Sequence, residues 1–159
     1  MYRTLTTILI AIFLIDSARA EKVKSHDLII ENAWIKDTPI NHPTTSGYLT
    51  IHNNGERDEK LIDVSSSISS KIAIHQTIMH DNIIKMRPLL DGLIIPAGST
   101  IHLNQSGFHI MFVKLKTRMI PMQTHLINLT FLNSGTLTIK AIVKSSNGIN
   151  ELYIEQHNH

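Results

Sequence analysis

With 159 residues and a formal net charge of +2, the chain can form one domain with its own core, and it carries no charge excess that would imply a nucleic acid partner. It contains no cysteine, which excludes disulfide scaffolds, thiol redox chemistry and thiolate metal sites, yet it holds ten histidines and six methionines.

Residues 1–20 read as a secretory signal, because Arg3 precedes an apolar run from Ile8 to Ile15, and Ala18-Arg19-Ala20 supplies the small residues of a cleavage site. The run is too short to span a bilayer. Cleavage after Ala20 would leave 139 residues with a net charge of +1, since Arg3, Arg19 and Asp16 go with the leader. The expected product is one exported domain over 21–144, followed by a polar tail over 145–159, with no stable membrane insertion.

From there β-rich runs alternate with turn residues, and no 3.6-residue period is sustained. Strands are expected over 28–36, 47–53, 60–65, 71–78, 83–87, 100–104, 108–115, 126–132 and 136–143. Between them lie turn signals such as NNGERDE, HDN, PAGS, NQSG and NSG. Regular spacing of this kind predicts an all-β Greek-key sandwich or barrel.

The chemistry gathers in two of these runs. In GFHIMF, residues 107–112, alternation puts His109 and Met111 on one face and Phe108, Ile110 and Phe112 on the other. Standing alone, the pair would be read as surface packing. The hairpin KIAIHQTIMHDNIIKMRP adds a second pair. With His80 and Asp81 as a two-residue loop, Met79 faces Asn82 and His75 faces Met86 on one side of the ladder. A three-residue loop without a bulge would put them on opposite sides. Two imidazoles and two uncharged, soft thioethers suit Cu(I) far better than zinc, magnesium or calcium. A blue-copper electron-transfer site would need a cysteine thiolate. Binding and handing over copper therefore fits better than redox cycling.

These residues and their surroundings resemble the PCuAC family of periplasmic copper chaperones. That family's motif is His, ten residues, Met, about twenty-one residues, then His-x-Met. Here residues 76–85 separate His75 from Met86, and His109-Ile110-Met111 completes the pattern after 22 residues, 87–108. The flanking GYLTIHNNG, KMRP and IPAGST agree as well. The additional residue of spacing is expected in the PLLDGL turn. The resemblance implies a cupredoxin-like β-sandwich that binds one Cu(I) through His75, Met86, His109 and Met111. It implies a periplasmic location and delivery toward cytochrome c oxidase, with subunit II or a Sco-type protein as acceptor. Copper sequestration for tolerance, or a metal-free interaction module, are the competing readings.

Other candidates carry bland readings. Met79 shares the face of His75 and reads as surface packing before it reads as an auxiliary ligand. His26, His42, His52, His102 and His125 lack partners at ligand spacing and are expected as surface or hydrogen-bonded histidines. Met119 and Met122 lie in RMIPMQTH, which departs from the family pattern, and are not carried over as ligands. His157 and His159 could hold Cu(II) at a loose secondary site on the tail. No nucleophile with a spaced base, H-E-x-x-H or phosphate loop is present, so catalysis is not expected.

Overall fold

The computed structural model describes residues 22–25, 27–80 and 83–145. The expected signal segment, His26, Asp81, Asn82 and the tail with His157 and His159 fall outside them. Among the described residues every helix or strand element is a strand: β1 (Val23–Ser25), β2 (Leu28–Lys36), β3 (Thr44–Asn53), β4 (Glu59–Ser65), β5 (Ser69–His80) and β6 (Ile83–Pro88). These are followed by β7 (Leu93–Ile95), β8 (Thr100–Leu103), β9 (Phe108–Leu115), β10 (Thr124–Phe131) and β11 (Gly135–Lys144). All nine expected strands are present. The pattern does not signal β1 and β7, because three residues are too few to display an alternation.

Hydrogen bonding links the strands in the order β6-β5-β9-β8-β3-β2-β11-β10-β4-β7, with β1 on the side of β2 and an additional β3–β9 pairing. Among the described residues only the β11–β2 and β8–β9 pairings run parallel. The ladder closes over one core, since Leu61 of β4 and Leu93 of β7 belong to the same buried cluster as Ile110 and Phe112 of β9. That core is apolar, mostly aliphatic with Phe112 and Phe131 among its largest side chains, and none of the four candidate ligands belongs to it.

Strand β2 breaks the simple alternation. Leu28 and Ile30 face the core, but so do Ala33 and Ile35, so the inward parity switches between Glu31 and Trp34. The cause is a β-bulge at Asn32, whose φ of 57° lies in the left-handed region that asparagine tolerates better than most residues. The bulge keeps Glu31 and Trp34 on the outer face together. Trp34 then meets Tyr48 of β3, with ring centroids 4.4 Å apart.

Strand β3 is the hub that ties the site-bearing strands to the rest. It pairs with β2 along one side, with β9 over Thr44 to Gly47 and with β8 over Leu49 to His52 on the other. Where it passes β9, Gly47 opposes Ile110 and lies beneath the fully buried Phe112 ring. A Cβ at position 47 would come 2.8 Å from Phe112 Cε2. The glycine is needed for this close approach. Replacing Gly47 with Ala should lower unfolding stability in a urea titration by about 1–3 kcal/mol, the usual cost of overpacking a filled core; an unchanged midpoint would mean the ring is free to move aside.

Candidate metal centre

The β6-β5-β9-β3 portion of the sheet has an outer face, and the candidate ligands lie on it. His75 and His109 are directly opposed across β5 and β9. Two residues along, Ala73 opposes Met111, and on the far side of β5, Thr77 opposes Met86. The order across the face is Met86, His75, His109, Met111, a diagonal with the imidazoles at its centre. Phe108, Ile110 and Phe112 point into the core or against it, as alternation requires.

The hairpin register differs from the expected one. His80 pairs with Ile83, so that His75 faces Pro88 and Met86 faces Thr77. His80 thus belongs to the ladder, one position further along the chain than the expected register allows. The slip displaces the pairing by two in the sum of residue numbers. Parity is preserved, so Met86 stays on the face of His75, but as a diagonal neighbour.

The two imidazoles are built to accept something. Their ring centroids are 5.8 Å apart. An imidazole nitrogen sits about 2 Å from a bound ion and the ring adds about 1 Å, so two rings on one ion have centres no more than about 6 Å apart. His109 is 1% exposed, and its Nδ1 donates to the Gly107 carbonyl at 3.3 Å. A donating Nδ1 leaves the lone pair on Nε2. That Nε2 is buried without a partner, as are Nδ1 of His75 and Oγ1 of Thr77, which lies on the same face. Buried polar atoms are normally paired, so three orphans on one patch are where a ligand or an ordered water would supply the missing interaction.

Burial holds the His75 pKa below its ordinary value, and the neighbouring His109 and Lys71 add to the shift. The ring is therefore neutral near pH 7, with its lone pairs available. Among the described residues no three His, Cys, Asp or Glu side chains gather into a metal site. A site centred on His75 and His109 needs donors of another kind, and the thioethers of Met86 and Met111 are the ones on their face. The donor chemistry therefore fits a soft, monovalent metal ion.

The two thioethers differ in setting. Met86 is 50% exposed on edge strand β6. Met111 is half-buried and pinned, because Ser46, its partner across β3 and β9, directs its hydroxyl to the Met111 sulfur at 3.9 Å. Tyr48, two residues along β3, adds a buried wall; burial raises its phenol pKa while hydrogen bonding with Ser46 opposes the rise. Ser46, Tyr48 and Thr77 escape sequence reading because their role depends on strand register. Only a correct pairing of β3 and β5 with their neighbours would reveal them.

The remaining histidines mostly behave as expected. His42 is exposed, with Nδ1 3.0 Å from the Thr44 carbonyl. His52 lies between Glu31 and Thr100, and His102 contacts Thr50. His125 departs from expectation: it is half-buried, its Nε2 lacks a partner, and burial lowers its pKa. Met119 is fully buried in the core, and Met122 is exposed.

Solved structures place this fold. The copper-bound PCuAC domain from PmoF2 superposes with a TM-score of 0.65 at 21% identity, over 79% of this chain and 98% of that one. The solution structure of apo-DR1885 from Deinococcus radiodurans gives 0.60 at 22% identity, over 92% and 97%. CuI-DR1885 from the same organism gives 0.57 at 27% identity, over 72% and 76%. The protein thus has the cupredoxin-like β fold of those PCuAC domains. A family model described as "Putative lipoprotein LpqE-like" matches residues 28–143, and the chain belongs to that family. A relative from Leifsonia xyli subsp. xyli (strain CTCB07), "Putative lipoprotein Lxx21020", is 29% identical over 143 residues, covering 90% of this chain and 85% of the relative.

The depressed His75 pKa makes a prediction for the metal-free protein. Between the lowered native value and the ordinary value of 6.5, the unfolded chain binds a proton at this position that the folded chain refuses, so stability is full above that window and falls as pH drops through it. Thermal melts from pH 7.5 to 5 should show a falling midpoint, with a shallower slope in His75→Gln. Parallel slopes for the two proteins would contradict the burial argument.

Proposed function

We propose that the domain binds one Cu(I) through His75, Met86, His109 and Met111 and passes it to an acceptor as a copper chaperone. The observation that carries this reading is the pair of buried, unpartnered imidazole nitrogens, on rings 5.8 Å apart, flanked on one sheet face by two thioethers. Likeness to structures titled copper-bound PCuAC domain and CuI-DR1885 supports it.

All four donors are neutral, so the ion keeps its positive charge, and no carboxylate or thiolate traps it in the first shell. An acceptor with thiolates offers a stronger soft-ligand set, and transfer runs downhill by stepwise ligand exchange. The thioethers carry no proton to release, and burial keeps His75 neutral near pH 7. Cytochrome c oxidase copper centres, reached through subunit II or a Sco-type protein, are the acceptor we propose, in the periplasm of a cell that exports the chain. The family description includes the word lipoprotein, but a lipid linked through cysteine sulfur has no attachment residue in this sequence.

Competition of the purified domain against the chromophoric Cu(I) chelator bicinchoninate tests the site. One equivalent should be withheld from the chelator. Losing an outer-shell partner typically weakens metal binding 10–100-fold, so His109→Ala should cost at least about 100-fold and the more exposed Met86→Ala at least about tenfold. Wild-type retention of copper in both variants would sink the assignment. Cells lacking the protein distinguish delivery from sequestration: delivery predicts under-metallated oxidase, and sequestration predicts copper sensitivity with normal oxidase.

A further inference from the structure

The Met86 end of the diagonal continues past the four proposed ligands. Along the β5–β6 ladder the next pair on the same face, beyond Thr77 and Met86, is Met79 and Ile84. Met79 is 72% exposed and Ile84 64% exposed. Neither belongs to the core cluster or packs against it. A methionine so exposed contributes little to folding, and packing does not explain its thioether. Its position does have chemical meaning, because Met79 and Met86 are diagonal neighbours, with backbone positions roughly 7–8 Å apart. Two unbranched side chains with three rotatable bonds each can close that gap onto one ion.

The opposite end is arranged differently. Met111 borders a cleft beneath the segment before β3, shared with Asp37, His42 and Ser46, and its sulfur is held by the Ser46 hydroxyl. That thioether is anchored, whereas Met86 sits on an edge strand with nothing pinning its sulfur among the described contacts.

We propose that Met79 is a relay ligand for Cu(I), occupied during transfer and not in the resting site. This rests on the four-ligand reading above. As the copper–nitrogen bonds to the imidazoles and the copper–sulfur bond to Met111 break, a copper–sulfur bond to Met79 forms while that to Met86 persists. The metal remains Cu(I), and the released imidazoles keep their lone pairs. The ion is then carried by two exposed thioethers at the rim of the sheet, where an acceptor can add its own ligands before the last protein bond breaks. Ile84 supplies an apolar flank for that contact.

The test uses Cu(I)-loaded protein mixed with bicinchoninate in a stopped-flow instrument, alongside equilibrium competition. Met79→Leu keeps size and apolarity and removes the sulfur. Equilibrium affinity should stay within about threefold of wild type while the transfer rate falls about tenfold. In the loaded protein the Met79 methyl resonance should broaden by exchange, and that of buried Met119 should not. An unchanged transfer rate in Met79→Leu overturns the relay and leaves the four-ligand site standing. A slower rate in His42→Ala with no effect of Met79→Leu also overturns it and assigns exit to the Met111 end. A loss of equilibrium affinity in Met79→Leu matching that of His109→Ala makes Met79 a resident ligand, again against the relay. If the wild-type protein withholds no Cu(I) from the chelator, the site and the relay fall together.

Discussion

The pairing of β5 with β9 is the constraint on which the site depends. It sets His75 directly against His109 and, two residues along, Ala73 against Met111. A strand slipped by one residue would turn its whole alternating set to the other face, burying imidazoles in the apolar core and exposing Ile74, Ile110 and Phe112. Those three side chains are between 0% and 5% exposed, so hydrophobic burial opposes the slip strongly. The energy that fixes the face bearing the candidate ligands is therefore stored on the opposite side of the same strands.

This division of labour explains how the site tolerates unpaired polar atoms. An orphaned buried nitrogen costs about 1–3 kcal/mol, and the patch holds two imidazole nitrogens and a threonine hydroxyl in that condition. The core that must offset the cost is built from residues outside the patch and runs through most strands of the ladder. A bound ion would reclaim the cost at the two nitrogens. On the proposed reading, affinity would come partly from satisfying those nitrogens, with little rearrangement needed, since the rings already stand at a separation one ion can bridge.

Much of this was legible in the residues, and the illegible parts share a cause. Alternation in FHIMF assigned two faces correctly because a strand's period is local. The hairpin was harder. Its parity is legible, while its register turns on whether His80 closes the ladder or leaves it, a difference of one position that local pattern does not decide. Likewise nothing in LIIENAWIK announces that Asn32 bulges and reverses the inward parity, since the alternation looks merely imperfect. The grip of Ser46 on Met111 spans 65 residues of sequence and exists only through β3–β9 register. Local period reads from sequence, and long-range register does not.

The longer spacing between Met86 and His109 can be judged in these terms. The intervening chain leaves the ladder after Pro88, where Leu89 still donates its N–H to the Ile74 carbonyl. It then turns through Leu90, which is 90% exposed, and Gly92, whose φ of 80° permits the reversal, before β7 pairs with β4. Neither Met86 nor His109 is positioned by the length of that excursion. Met86 is placed by its pairing with Thr77 and His109 by its pairing with His75, and both partners belong to the one continuous strand β5. A residue added in the turn lengthens a surface loop, a change that costs little in closure entropy, while β5 keeps both side chains in register. The geometry between them is thus set by two residues on one strand and is insensitive to the segment that separates them in sequence.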